Sequence, residues 1–319
     1  MKFWQRYSEK ENAMKYYILQ LSFPQGVHFG QTNLDECNMT FHADTLFSAL
    51  YIEAVKCGKK VADQLLQAAR KGTFLISDAF PYIGEECFLP KPMLYIERNE
   101  DIGNSVLKKT AKKLEYISLE NLEEYIKGDM DIKKENNKFA EFGYSQVKTS
   151  AAIRGREKTE PYHVGIYTYG EGNGLFFFAG MEEELEDTFW DVLDMLSFSG
   201  IGGKRSSGLG RFSVEKMVPV DGEHFEKPDA VNGYLLLSTA LPKEEEMESV
   251  LEGAEYLLEK RSGFIQSQSF GEQQRKKCDQ YFFKAGSHFT KRFSGDIYQV
   301  AEDGKHPVYR YGKPLFWAL

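Results

Sequence analysis

The densest chemical signal in the sequence is the run Ser199-Gly200-Ile201-Gly202-Gly203-Lys204-Arg205-Ser206-Ser207-Gly208-Leu209-Gly210-Arg211-Phe212, which packs five glycines, three basic residues and three serines into one connection. Glycine lets a backbone take positive φ and approach a ligand with no Cβ in the way. Successive backbone N–H groups in such a run form an anion-binding nest. Lys204, Arg205 and Arg211 add positive charge, and the serines add neutral donors for phosphate oxygens. Two nucleotide motifs are excluded. A P-loop needs Ser or Thr directly after Gly203-Lys204, where Arg205 stands, and a glycine where Phe198 stands. The dinucleotide fingerprint, begun at Gly200 and Gly202, needs a third glycine at Arg205. The run also follows a helical pattern and precedes a strand, the reverse of both motifs. An ordinary mobile surface loop is the plain alternative, and the density of glycine and charge speaks against it.

Other reactive residues are sparse. Cys37, Cys57, Cys87 and Cys278 form no CxxC pair and stand beside no His at metal spacing, which argues against zinc. No carboxylate cluster suggests a two-metal site, so neither a metal nor a cofactor is expected. Asp44, just ahead of Thr45-Leu46-Phe47, fits a helix N-cap better than a catalytic base.

The elements that must position the glycine run are readable from periodicity. Lys15 to Phe23 alternates as a strand, ended by Pro24-Gln25-Gly26. Leu46, Phe47, Ala49, Leu50 and Ala54 recur at helical spacing after Asp44, a second helix runs from about Lys60 to Arg70, and Thr73 to Ser77 is a strand. Residues 80–162 are rich in charge and proline and read as a long, partly mobile insertion. Val164 to Tyr169 and Gly174 to Ala179 look like strands joined as a hairpin through Gly170 to Gly174. Glu183 to Leu196 is helical, with Leu185, Phe189, Val192, Leu193 and Leu196 on one face, and Arg211 to Val218 is a strand. That order is β-α-β-β-α-β, the ferredoxin-like unit shared by RNA-recognition domains. A second, degenerate cycle has strands at Gly233 to Ala240, Gly263 to Ser269, Gln280 to Ala285 and Val308 to Leu319, and a short acidic helix from Lys243 to Leu251. The fold class is therefore α+β, two tandem ferredoxin-like domains at 14–218 and 219–319. Residues 1–13 form a polar, candidate disordered extension. Tyr309, Tyr311, Phe316 and Trp317 could stack on bases, but their alternation in a terminal strand favours core or subunit contact, and Lys243-Glu244-Glu245-Glu246 reads as solvated helix surface or a face for a basic partner.

At 319 residues with 42% hydrophobic content, the chain can bury two cores, and 14% aromatics favour sheet. A net charge of -8 opposes general nucleic-acid affinity, so any such site must be a local basic patch on an acidic body. No apolar run reaches membrane-spanning length and no leader pattern precedes Met14, so a cytoplasmic protein with reduced thiols is expected.

The stretch GIGGKRSSGLGRF resembles the signature glycine-rich loop of the RAMP superfamily of CRISPR proteins. With it, LSFPQGVHFG, HADTLFSAL, LPKP and HPVYRYGKPLF occur in the order of the fourth subunit of the type III-A Csm effector complex. Its type III-B counterpart stays open. The resemblance implies two ferredoxin-like domains and a non-catalytic role in antiviral defence. The chain would hold the repeat-derived 5′ tag of crRNA and contact the large polymerase-like signature subunit and the adjacent backbone RAMP subunit. The expected RNA contacts are Gly200, Ile201, Gly202, Gly203, Lys204, Arg205, Ser206, Ser207, Gly208 and Arg211 in the loop. His28 joins them, as do Lys148, Arg154 and Arg156 of a basic thumb between Tyr144 and Tyr162, which also holds Lys158. Some RAMP relatives cut guide RNA with a histidine as general acid or base, which makes His42 or His28 the candidate for an alternative, nuclease function. Such relatives tend to carry the glycine loop near the C-terminus, whereas here a second domain follows it.

Overall fold

The alternating first segment forms β1 (Lys15–Ser22) at the heart of an antiparallel sheet, and residues on both of its faces are buried: Tyr17, Leu19 and Leu21 on one, Tyr16 and Ile18 on the other. The structure, a computed structural model, describes residues 14–30, 33–96, 105–152, 160–265, 275–301 and 304–319. The extension at 1–13 lies outside them.

After β1 come two helices, α1 (Ala43–Cys57) and α2 (Lys59–Lys71), then β2 (Phe74–Ile76), β3 (Phe80–Ile83), β4 (Glu86–Pro90) and β5 (Tyr116–Ser118). A two-stranded ribbon follows, β6 (Gly143–Ala152) with β7 (Glu160–Tyr169), and then β8 (Asn173–Met181), α3 (Glu183–Ser199) and β9 (Ser213–Val220). The sheet order is β9-β1-β8-β3-β4-β5, with β2 pairing β8 beside β3. The three helices bury one face of the sheet through Leu46, Phe47, Leu50, Leu65, Phe189 and Val192. The other face, with Phe176 and Phe178, is covered by Phe225, Leu235, Leu237, Leu315 and Trp317 from the C-terminal third. Apolar residues on both faces of β1 and β8 follow from this sandwiching.

The segment expected as a partly mobile insertion is folded in its described part. β3 to β5 lengthen the sheet, and Leu114, Ile117, Tyr125 and Ile132 make a small core of their own. Buried Glu135 accepts hydrogen bonds from Ser118 N (2.6 Å) and Asn121 Nδ2 (2.8 Å) and pairs with Lys138 (2.9 Å). The hairpin expected between Val164–Tyr169 and Gly174–Ala179 is corrected as well. β7 pairs with β6, and β8 pairs with β1. Gly170 N donates to Phe142 O at 2.8 Å, which turns the chain out of the ribbon and into the main sheet.

The C-terminal third has a three-stranded sheet, with Tyr234–Leu236 between His288–Phe289 and Phe316–Ala318, and two ribbons, Leu258–Arg261 with Gln280–Phe283 and Ile297–Gln299 with Tyr309–Tyr311. The strand expected at Gly263 to Ser269 is instead Leu258–Arg261, and residues 266–274 lie outside the described ones. Gly312-Lys313-Pro314 divides the expected last strand in two. The acidic run is a 3-10 turn, Glu244–Glu246, leading into Met247–Leu251. Glu246 is not merely solvated: Lys243 N (2.9 Å), Ser294 N (2.7 Å) and Gly295 N (3.2 Å) all donate to its carboxylate.

The two halves are stitched by polar groups that the sequence did not announce. Asp78, in the bend between β2 and β3, accepts hydrogen bonds from Ala43 N at the start of α1 (2.8 Å) and from Thr239 N (2.7 Å) and Oγ1 (2.7 Å). It thus caps α1, the role expected of Asp44. Asp44 lies inside the first turn and pairs with Arg261 through two contacts, Nη2 to Oδ1 at 2.7 Å and Nε to Oδ2 at 3.1 Å.

Candidate nucleic-acid interface

The glycine run leaves α3 at Gly200 and returns to the sheet as β9. Its two ends are clasped to each other: Ile201 N donates to Gly210 O at 2.9 Å. A Cβ on Gly210, where φ is +77°, would stand 2.0 Å from the Ile201 carbonyl oxygen, so only glycine closes this neck. The loop also docks on the segment after β1, with Gly210 N donating to Gly26 O (3.0 Å) and Gly203 N to His28 O (2.9 Å). That segment is held in turn by the ribbon, because Val27 and Tyr167 exchange backbone hydrogen bonds of 2.9 and 3.0 Å.

Lys204 has φ of +55°, the only positive φ outside glycine among the described residues. Its ammonium lies over the Tyr162 ring of β7. Arg205 to Ser207 form one 3-10 turn, and Gly208, at φ +89°, ends it. Ser206, Ser207 and Arg211 are exposed. Lys204, Arg205 and Arg211, with Lys56 from the end of α1, line an open cleft of about 570 Å³. Gly202, Gly203 and Ser206 also border it. Among the described residues no carboxylate forms an ion pair with Lys204, Arg205 or Arg211. Lys56 is held at 2.7 Å by Glu53, whose side chain is buried. An acidic chain thus presents a locally cationic concavity, as the composition requires of any phosphate site.

Three of the expected contact residues are buried away from this surface: Gly200, where the chain leaves α3, and Ile201 and His28. The Ile201 side chain is 1% exposed and belongs to the main core, and His28 is 5% exposed with Nδ1 2.7 Å from Gly165 O. Both brace the loop from beneath, since the apolar core claims the first and the ribbon backbone satisfies the second. Lys148 is exposed and is the register partner of Val164, on the ribbon face whose Val164, Ile166 and Tyr162 pack with Leu209 of the loop. Arg154, Arg156 and Lys158 lie outside the described residues.

Sequence reasoning missed Lys56 and Phe198, both of which line the cleft. Phe198 carried a signal: it lies off the apolar face of α3, directly ahead of a basic loop. The candidate His42 is committed elsewhere. Its Nδ1 lies 2.8 Å from Asp78 Oδ2 and its Nε2 2.9 Å from Glu259 Oε1. Burial and the Arg261 charge oppose its protonation, but the two carboxylates outweigh them and raise its pKa to about 9. Burial likewise works against the Asp44 carboxylate, and Arg261 overcomes it and holds that pKa below the usual range. Among the described residues, no group of three or more His, Cys, Asp or Glu is placed to hold a metal ion, and no helix is long and apolar enough to cross a membrane.

Comparison with known proteins shows the family to which the chain belongs. The family described as the RAMP superfamily matches residues 19–213, and the CRISPR Csm4 C-terminal domain matches residues 229–319. The CRISPR system Cms protein Csm4 of Mycobacterium tuberculosis is 35% identical over 303 residues, covering 92% of this chain and 94% of that protein. Its namesake in Streptococcus thermophilus is 34% identical over 316 residues, covering 96% and 99%. A chain in the crystal structure of the Csm3-Csm4 subcomplex in the type III-A CRISPR-Cas interference complex superposes with a TM-score of 0.61 at 17% identity, covering 96% of this chain and 99% of that one. One from the Csm1-Csm4 cassette in complex with pppApA gives 0.59 at 18%, covering 96% and 98%. At such identities the structural likeness is one of fold. The relatives above 30% identity extend over nearly the whole chain, with the glycine loop inside the first family match and all of the named sheet cover but Phe225 inside the second; the chain belongs to the Csm4 family of the RAMP superfamily.

Proposed function

We propose that this chain is the non-catalytic subunit of a type III-A Csm effector complex that grips the 5′ tag of crRNA in the cleft of the glycine-rich loop. The observation that carries the reading is the cleft itself: Lys204, Arg205 and Arg211 are without carboxylate partners among the described residues, and they stand on a loop held in shape by positive-φ backbone. Loop N–H groups and serine hydroxyls take phosphate oxygens, and the ribbon β6–β7, with Lys148, steers the strand. Solved relatives of the same fold stand in subcomplexes with Csm3 and with Csm1, which supports docking to a backbone RAMP subunit and to the large signature subunit. Two ferredoxin-like units, 14–218 and 219–319, fit the chain; the order β9-β1-β8-β3, the fourth, first, third and second strands of such a unit, supports the first, and the small antiparallel sheet around Tyr234–Leu236 the degenerate second.

The nuclease alternative is weaker, because His28 is buried and both ring nitrogens of His42 are engaged. The deciding experiment replaces Lys204 and Arg205 by Ala and titrates single-stranded tag RNA against salt. Binding weakens, and the slope of log affinity against log salt falls by roughly 0.7 for each phosphate contact removed. Unchanged affinity and slope would reject the loop as the site.

A further inference from the structure

Phe198 is 71% exposed at the C-terminal end of α3, one residue before the glycine run begins. Leu185, Phe189, Val192, Leu193 and Leu196 of that helix are at most 3% exposed, Trp190 is half-buried, and Met195, the other exposed apolar residue, is 37% exposed. A phenylalanine left in water forgoes the favourable burial its neighbours obtain, so its position calls for an explanation. It borders the cleft whose other walls are the cations Lys56, Lys204, Arg205 and Arg211, the serines Ser199 and Ser206 and bare loop backbone, and among the described residues that line it Phe198 is the one aromatic ring. Aromatic ring beside cationic groove is the combination that holds single-stranded nucleic acid: the groove tracks phosphates and the ring stacks on a base.

We infer that Phe198 is a base-stacking platform, so that the cleft binds a nucleotide at both ends, phosphate on the loop and base on the ring. The inference rests on the reading of the loop as a phosphate site and adds a contact with the base. Stacking is indifferent to hydrogen-bonding pattern, so the platform accepts any base and favours the larger purine face. Its contribution is also insensitive to salt, unlike that of the loop cations.

The test uses the full chain and a labelled single-stranded RNA of tag sequence, with abasic versions of the same RNA. Phe198→Ala is expected to weaken binding by about tenfold or more without changing the salt slope. Phe198→Trp retains affinity, and its indole fluorescence is quenched on titration. One abasic substitution in the RNA weakens wild type but not Phe198→Ala. Lys204→Ala with Arg205→Ala, run in parallel, reports on the loop alone. If that pair weakens binding and Phe198→Ala does not, the platform is overturned while the loop stands. If neither variant matters, the loop reading fails first. If Phe198→Ala leaves RNA affinity intact but loses a co-purifying protein subunit, Phe198 is a protein contact and the inference is wrong.

Discussion

The Lys204 ammonium lies 4.7 Å from the centre of the Tyr162 ring, joining the strained point of the glycine loop to the ribbon. A left-handed conformation at a lysine costs on the order of 1–2 kcal/mol, and a cation over a half-buried ring such as Tyr162 returns about 0.5–1 kcal/mol. Tyr162→Ala should therefore relax the loop and weaken tag-RNA binding by about threefold, while Tyr162→Phe, which keeps the ring, should bind as wild type. Equal binding by both variants would show that the ribbon does not organise the loop.

Gly210 tests the neck of the loop. Alanine there collides with the Ile201 carbonyl, and the clash is with backbone, which cannot swing away. Gly210→Ala should abolish measurable RNA binding and lower the denaturation midpoint. Gly172 offers the control, since its φ is +73° but nothing lies within 4 Å of an added Cβ. Gly172→Ala should cost only about 1 kcal/mol and leave RNA binding alone.

Removing either partner of the Asp44–Arg261 pair leaves a charge in a largely buried site. The side chains are 10% and 16% exposed, and Arg310 Nε stands 3.9 Å from the same carboxylate. Asp44→Ala should lose about 3–5 kcal/mol in urea unfolding. A loss below about 1 kcal/mol would mean that the pair is solvated in solution.

His42 gives stability a pH dependence. Its pKa is raised in the folded chain to about 9 from 6.5, so the folded state binds more protons between those values. The stabilisation is fully present below about pH 6.5 and fades as pH rises through 9. A shift of that size corresponds to roughly 3 kcal/mol. Urea midpoints from pH 6 to 10 should fall across this window in wild type, and markedly less in His42→Gln. Parallel curves for the two proteins would remove His42 from the linkage.

The sequence was most legible where one physical pattern dominated. The 3.6-residue periodicity of α3 and the alternation of β1 set their places, and the glycine run was visible from composition alone. Partner choice was not legible. β7 and β8 both read as strands, but nothing local says that one joins a ribbon and the other the central sheet. Long-range polar contacts were equally hidden, since Asp78 meets Thr239 across 161 positions and Asp44 meets Arg261 across 217. Burial, too, is a property of the packed chain. His28 and Ile201 belong to the right segment but face inward, whereas Phe198 faces outward against the rule for its type.

The C-terminal third supplies much of the lid on one face of the central sheet, and the strand Phe316–Ala318 with Leu315 and Trp317 is part of it. During synthesis on a ribosome, the nascent chain therefore carries Phe176 and Phe178 incompletely covered until the segment from Phe225 to Trp317 has emerged. A messenger broken ahead of Leu315 would yield a sticky, half-clad product, a natural target for chaperones and quality-control proteases.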